Sequence, residues 1–167
     1  KVYEAIIKSF DYLSIAVILN FQIFCVHGGI SPLFTSIESI NNDKELKKPL
    51  QEPFPELIND FLWSDPSNTL KEYSKSPRTI GKLYGFEATK EFLEKKCDNL
   101  SLLIRSHQMI PYGYDYPFDE KGKVLTIFSS IDYCENENSG AVAVVCENNI
   151  QIEEFEHLSP EKRKKIR

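Results

Sequence analysis

Cys25-Val26-His27-Gly28-Gly29-Ile30-Ser31-Pro32 is the most informative stretch of the chain, because a histidine leaves an apolar strand there and runs directly into a glycine pair. A second histidine, His107, repeats the arrangement after the apolar run Leu102-Leu103-Ile104 and the polar step Arg105-Ser106. An imidazole at the end of a buried strand, with glycines clearing the space in front of it, is well placed to bind a metal ion. The two histidines therefore predict a metal site, although two ligands are too few to hold a catalytic ion tightly.

Length, charge and cysteine content limit the class of protein. The 167 residues suit one domain with a real core, and the net charge of −5 argues against a nucleic-acid partner. The longest apolar stretch, residues 15–26, contains polar side chains and is too short to cross a membrane. Cys25 and Cys146 lie in apolar runs and are expected to be core residues, which favours a reducing, intracellular location, cytoplasmic or nuclear.

The hydrophobic pattern predicts a mixed α and β architecture. Helical spacing occurs over residues 2–13, 56–63 and 86–97, and buried strands are expected over residues 15–19, 22–26 and 100–104. Two hairpins are predicted, one from residues 112–118 and 123–128 and the other from residues 141–146 and 150–155. Residues 31–55 are predicted to be a loop with at most a short helix over 35–40, and residues 67–78 a polar loop. Residues 158–167 are predicted to be a solvated basic tail.

Five motifs in chain order together resemble a known family. They are His-Gly-Gly-Ile-Ser-Pro at 27–32, Leu-Trp-Ser-Asp-Pro at 62–66, Arg78 with Gly85 seven residues on, Arg-Ser-His-Gln at 105–108 and Phe-Ser-Ser-Ile-Asp-Tyr-Cys at 128–134. This order resembles the C-terminal half of a serine/threonine protein phosphatase of the PPP superfamily, the calcineurin-like metallophosphoesterases. The resemblance implies an α+β fold, a metallophosphoesterase β-sandwich with flanking helices. Residues 1–157 would then be the C-terminal part of the catalytic domain.

The resemblance also implies roles for particular residues. Enzymes of this family hold two divalent metals, among manganese, iron and zinc, which share a bridging water that attacks phosphorus. His27 and His107 match the family's metal-binding histidines, and Arg78 matches the arginine that clamps the phosphate. Asp65 would orient the groups around the metal, and Tyr133 matches a tyrosine on a mobile loop over the substrate.

The chain also departs from the family pattern. Three upstream motifs, of the forms Gly-Asp-x-His-Gly, Gly-Asp-x-x-Asp-Arg-Gly and Gly-Asn-His-Glu, do not occur in it. They would supply the ligands of one metal, the bridging carboxylate, the asparagine ligand and the acid histidine, so the ligand set here is incomplete. Thr79 replaces the glycine after the arginine, and Ile131-Asp132 replaces Pro-Asn before the tyrosine. We therefore expect the chain alone not to catalyse.

Each candidate residue also has a plain structural interpretation. His27 and His107 can be interpreted as hydrogen-bonded histidines at strand ends. Arg78 can be interpreted as one member of a surface ion pair with one of many nearby acids. Asp65 can be interpreted as a turn or cap residue before proline, and Tyr133 as a side chain that packs against its own loop.

Two other side chains are expected to be structural or solvated. Trp63 is interpreted as a core anchor, and His157 as a solvated surface residue.

The leading hypothesis is a metal-dependent protein serine/threonine phosphatase with phosphoprotein substrates, and with regulatory subunits as further candidate partners. The alternatives are a catalytically inactive phosphatase-like binding or regulatory module and an unrelated globular interaction domain. All three are tested by one spatial expectation: the imidazoles of His27 and His107 converge on a point that the guanidinium of Arg78 also faces.

Overall fold

The computed structural model describes residues 1–44, 46–119, 122–146 and 149–157. The first part of the chain forms helix α1 (Val2–Phe10), strands β1 (Ala16–Leu19) and β2 (Ile23–Val26), and helices α2 (Ile37–Asn42) and α3 (Glu56–Trp63). The middle part forms strands β3 (Asp65–Pro66), β4 (Tyr73–Lys75) and β5 (Lys82–Tyr84), followed by helix α4 (Phe86–Glu91), which a π-helical turn (Phe92–Lys96) continues. The last part forms strands β6 (Leu102–Arg105), β7 (Tyr114–Asp115) and β8 (Val124–Ile127), a short 3₁₀ turn (Tyr133–Glu135), and strands β9 (Gly140–Cys146) and β10 (Asn149–Phe155).

The main sheet has the strand order β1-β2-β6-β8-β7. Its central strands β2, β6 and β8 run parallel, and the edge strands β1 and β7 are antiparallel to their neighbours. Cys25 is paired with Ile104, so the carboxyl ends of β2 and β6 lie side by side. Since residues that follow parallel strands emerge at the same edge of a sheet, this register brings His27 and His107 together.

An aromatic cluster fills the core beside this sheet. Phe24 of β2 packs edge-on against Phe61 and Phe92, with ring centroids 6.0 and 5.0 Å apart, and Phe34 lies 4.7 Å from Phe92. All four rings are buried. Offset and edge-on aromatic pairs stabilise a core beyond the area they bury. The cluster therefore fixes α3, whose C-terminal end supports the loop after His27.

A small second sheet carries Asp65. Strand β3 pairs in parallel with β5, and β5 pairs with β4 in an antiparallel ladder. The prediction of a continuous polar loop over residues 67–78 is wrong, because Tyr73–Lys75 forms strand β4. Its polar sequence carries no strand signal of its own, and the pairing partner lies further along the chain.

Most predicted elements are confirmed. The helix over residues 56–63 has the predicted bounds, the helix over 86–97 ends in a π-helical turn, and both predicted hairpins pair as antiparallel strands. The short helix lies at Ile37–Asn42, slightly later than predicted. The mixed α and β architecture agrees with the prediction. The basic tail at 158–167 lies outside the described residues and stays a prediction.

Several burial predictions are wrong. Cys146 is exposed, because it ends β9 rather than facing a core, and Trp63 is 39% exposed at the end of α3. His157 is not simply solvated, since its Nε2 lies 3.6 Å from a carboxylate oxygen of Asp132. Helix α1 forms as predicted, yet none of its residues is buried.

Candidate functional site

The two predicted metal-binding histidines are adjacent. His27 follows β2, His107 lies two residues after β6, and the Nε2 atom of His27 is 3.2 Å from the Nδ1 atom of His107. The ring centroids are 5.1 Å apart and the planes are inclined at 70°. The backbone N–H of Ser106 donates to the His27 carbonyl at 3.0 Å, which joins the two loops. The convergence expected from the sequence is therefore present for both imidazoles.

His107 has an unusual backbone and an unusual side-chain environment. Its φ of +67° lies in the left-handed region, where a residue with a side chain is strained. Its Nε2 atom is buried without a hydrogen-bond partner among the described residues. Backbone strain and an unsatisfied buried nitrogen at one residue are features that cluster at functional sites.

The surroundings of both imidazoles favour the neutral form. Burial lowers the pKa of His27 below its ordinary value of 6.5, and the positive charge of Arg105 lowers it further. Burial is also the largest cause lowering the pKa of His107; Asp65 opposes it, and the positive charges of Arg105 and Arg78 act in the same direction as burial. A neutral imidazole is the form that binds a metal ion. Arg78 is connected to the histidine side of the molecule through Asp65, which binds both Arg78 and Arg105.

Asp65 links two arginines. Its Oδ2 accepts a hydrogen bond from Nε of Arg78 at 2.9 Å, and its Oδ1 accepts one from Nη2 of Arg105 at 2.8 Å. Asp65 is 4% exposed, whereas 43% of the Arg78 side chain remains accessible to solvent. Asp65 is thus a buried bridge rather than a surface turn residue. Arg78 does form the ion pair that its structural interpretation required, while keeping much of its guanidinium side open to a ligand.

Arg105 is the site residue that the sequence analysis missed. Only 1% of it is exposed, and its guanidinium donates to the carbonyl oxygens of Gly28 and Ser64 and to the side chains of Asp65 and Gln108. A signal was available, since Arg105 directly follows the apolar run Leu102-Leu103-Ile104 and, two residues after Leu103, shares the buried face of strand β6. Arginine is rarely buried, however, so the pattern alone favoured the histidine two residues later.

The glycine pair has a different purpose from the one predicted. A Cβ atom on Gly28 would lie 2.4 Å from the backbone carbon of Leu62, and one on Gly29 would lie 2.3 Å from Cε1 of Tyr84. Both backbone N–H groups donate to the Phe61 carbonyl, at 2.8 and 3.2 Å. The glycines therefore let the loop after His27 pack directly on the end of α3. The expectation that they clear space in front of the imidazole is wrong.

Trp63 and Tyr133 take different positions relative to the histidines. Trp63 lies edge-on to His107, with ring centroids 5.2 Å apart. Tyr133 is 49% exposed and packs edge-on against Phe128 in its own loop, where its backbone N–H donates to Oδ1 of Asn138. The structure thus brings Trp63, unexpectedly, against a candidate ligand. The role of Tyr133 over a substrate stays a prediction.

The candidate metal ligands are two in number within the described parts of the chain. No group of three or more histidine, cysteine, aspartate or glutamate side chains is placed there to hold one ion. Asp65 is not grouped with the two histidines as a third ligand among the described residues, and its carboxylate oxygens accept hydrogen bonds from arginines. Within the described residues, the candidate donor set therefore consists of two imidazoles.

Comparison with known proteins defines the class of this fold and site. The family model for calcineurin-like phosphoesterases matches residues 1–111, and the chain belongs to this family. It is 38% identical over 134 residues to the serine/threonine-protein phosphatase 4 catalytic subunit of Saccharomyces cerevisiae, a match that covers 80% of this chain and 41% of the relative. A solved Saccharomyces cerevisiae serine/threonine phosphatase with similarity to human phosphatase PP5 superposes with a TM-score of 0.76 at 25% identity, covering 95% of this chain and 51% of that one.

Within the family, these relatives define a serine/threonine phosphatase domain of the PPP type. The predicted fold class, the α+β calcineurin-like metallophosphoesterase fold, is confirmed. The chain spans about half the length of the relatives it matches. The described residues contain no helix long and apolar enough to cross a bilayer.

Proposed function

We propose that this chain provides the histidine and arginine side of a metal-dependent active site that hydrolyses phosphoserine and phosphothreonine. In this proposal His27 and His107 bind one divalent ion, Arg78 binds the phosphate group, and Asp65 orients Arg78. The metals of the site are proposed to be two in number, from manganese, iron and zinc. They would supply a water of lowered pKa as nucleophile and would neutralise phosphoryl oxygens.

The distance between the two imidazole nitrogens carries this proposal. Metal–nitrogen bonds of about 2.0–2.1 Å at angles between about 90° and 109° place two neighbouring ligand nitrogens about 2.8–3.4 Å apart. The observed separation between Nε2 of His27 and Nδ1 of His107 is 3.2 Å, within that range. A simple hydrogen bond between the rings fits the distance too, and the buried Nε2 of His107 lacks a partner among the described residues in either case. Two neutral rings meeting at ligand spacing therefore support metal binding.

The arginine side of the site suits an anion. Arg78, Arg105 and Asp65 together carry one net positive charge, and the accessible member of this group is Arg78. A planar guanidinium that is already fixed at Nε by a carboxylate retains its remaining donors in a defined orientation. Arg78 would thus hold a phosphate without losing much conformational freedom on binding.

The substrate class and location follow the same reasoning. Phosphoprotein substrates are proposed from the PPP-type domain, and regulatory subunits as further partners. An intracellular location, cytoplasmic or nuclear, is also proposed, supported by cysteines that are free thiols at all four positions.

Metal binding can be measured through the single tryptophan of the chain, because Trp63 lies edge-on to His107. We expect Co²⁺ to quench its fluorescence along a saturable curve at neutral pH. His27→Ala and His107→Ala should each weaken binding at least tenfold, since each removes one of two ligands. His157→Ala is the matched control, because His157 pairs with Asp132 instead. Equal affinity in all four proteins would refute the proposal.

A further inference from the structure

We propose that Arg105 is a positioning residue that holds both halves of this site, the loop that carries His27 and the carboxylate that carries Arg78. The inference rests on the proposed function for what the site binds. The positioning itself is a property of the chain without any ligand.

Arg105 is built into the molecule as a cross-link between three segments. Its Nε donates to the Gly28 carbonyl at 2.6 Å, its Nη1 to Oε1 of Gln108 at 2.8 Å, and its Nη2 to Oδ1 of Asp65 at 2.8 Å and to the Ser64 carbonyl at 3.3 Å. A buried guanidinium is costly unless its donors are satisfied. Here the fully buried cation is satisfied by groups that lie next to the candidate functional residues in sequence.

One arm of this cross-link fixes a histidine. Gly28 directly follows His27, so the hydrogen bond to its carbonyl restricts the peptide group at which the candidate ligand leaves strand β2. The same peptide segment is pressed on α3 by the Gly28 N–H bond to Phe61. Held from both sides, the backbone at His27 keeps its imidazole facing His107.

The other arm fixes Arg78 through Asp65. The carboxylate accepts from the buried Arg105 on one oxygen and from the accessible Arg78 on the other. Because Arg105 is anchored in the core, it orients the carboxylate, and the carboxylate orients Arg78. This chain of contacts connects the two halves of the site through one buried guanidinium.

Arg105→Lys is the informative variant, because it keeps the positive charge and most of the aliphatic stem. A lysine ammonium is a compact donor that cannot reach four acceptors arranged around a planar fork. Any loss of phosphate affinity in this variant therefore reports on geometry rather than on charge. Val124→Ala is the control for general destabilisation, since Val124 is fully buried on the neighbouring strand β8, where it is paired with Leu103 rather than with Arg105.

The experiment compares wild type, Arg105→Lys and Val124→Ala in the full chain. The ring nitrogen signals of the three histidines are recorded by NMR without metal, and Co²⁺ and orthophosphate affinities are then measured. We expect Arg105→Lys to shift the signals of both His27 and His107 and to weaken Co²⁺ and orthophosphate binding about 10–100-fold, the usual effect of losing a residue that orients a ligand. Val124→Ala should lower the melting temperature and leave the signals and affinities unchanged.

Each outcome decides a separate question. Wild-type signals and affinities in a folded Arg105→Lys protein would overturn the inference. Shifted histidine signals in a chain that binds no Co²⁺ in any form would support the positioning role and refute the proposed function. If Arg105→Lys does not fold, Asp65→Asn decides for the arm to Arg78: loss of the protected Nε–H signal of Arg78 supports that arm, and retention of the signal overturns it.

Discussion

Gly28→Ala is predicted to destabilise the protein strongly for a purely steric reason. The added Cβ would lie 2.4 Å from the backbone carbon of Leu62 and 2.7 Å from the backbone nitrogen of Trp63. Ordinary contacts of this kind are 3.4–4 Å, so the overlap is about 1 Å and the obstacle is backbone, which cannot rotate away. Overpacking of this degree costs about 3 kcal/mol. That is a large part of the total stability of about 5–15 kcal/mol of a typical domain.

Urea unfolding followed by Trp63 fluorescence measures this effect. With a slope of about 2 kcal/mol per molar urea, a loss of about 3 kcal/mol lowers the midpoint by about 1.5 M. Gly122→Ala is the matched control: nothing lies within 4 Å of its added Cβ, and its φ of +62° costs about 1 kcal/mol as backbone strain. A Gly28→Ala protein that unfolds within about 0.5 kcal/mol of wild type would refute the close-packing account of the glycine pair.

Three further predictions concern the core and the site. Phe92→Ala should lower the free energy of unfolding by about 3–5 kcal/mol, because its ring is fully buried and packs against two others, whereas Phe155→Ala, at an exposed position, should cost far less; urea titration compares them. Ser31→Ala should cost about 1.5–3 kcal/mol, since it removes a buried hydrogen bond at 2.6 Å to a carboxylate, and equal unfolding midpoints would contradict this. Stability should fall as the pH drops below the ordinary histidine pKa of 6.5, because the folded-state pKa of His107 is lowered, and His107→Gln should reduce that slope in unfolding curves recorded from pH 7 to 5.

The sequence revealed those parts of the site in which a local signal coincides with function. His27 and His107 each end a clearly apolar strand, and the parallel register of β2 with β6 brings them within 3.2 Å. The register itself could not be read from either strand. It pairs two strands that are distant in sequence, so it is set by tertiary packing.

Other features lacked a local signal. Arg105 looked like a polar step before a histidine, and only its four acceptors, from three different segments, show that it is buried. Strand β4 has a polar sequence and exists because β5 offers a partner. The glycine pair is visible in the sequence, but its packing against α3 depends on where that helix ends.

Helix α1 determines how the purified chain should be handled. Its outer surface presents the side chains of Val2, Tyr3, Ile6 and Phe10 to water, and each of these residues is at least half exposed to solvent. Contiguous apolar surface of this kind promotes self-association as concentration rises. Dilute samples, mild detergent and a light-scattering check should therefore precede any spectroscopic measurement on this protein.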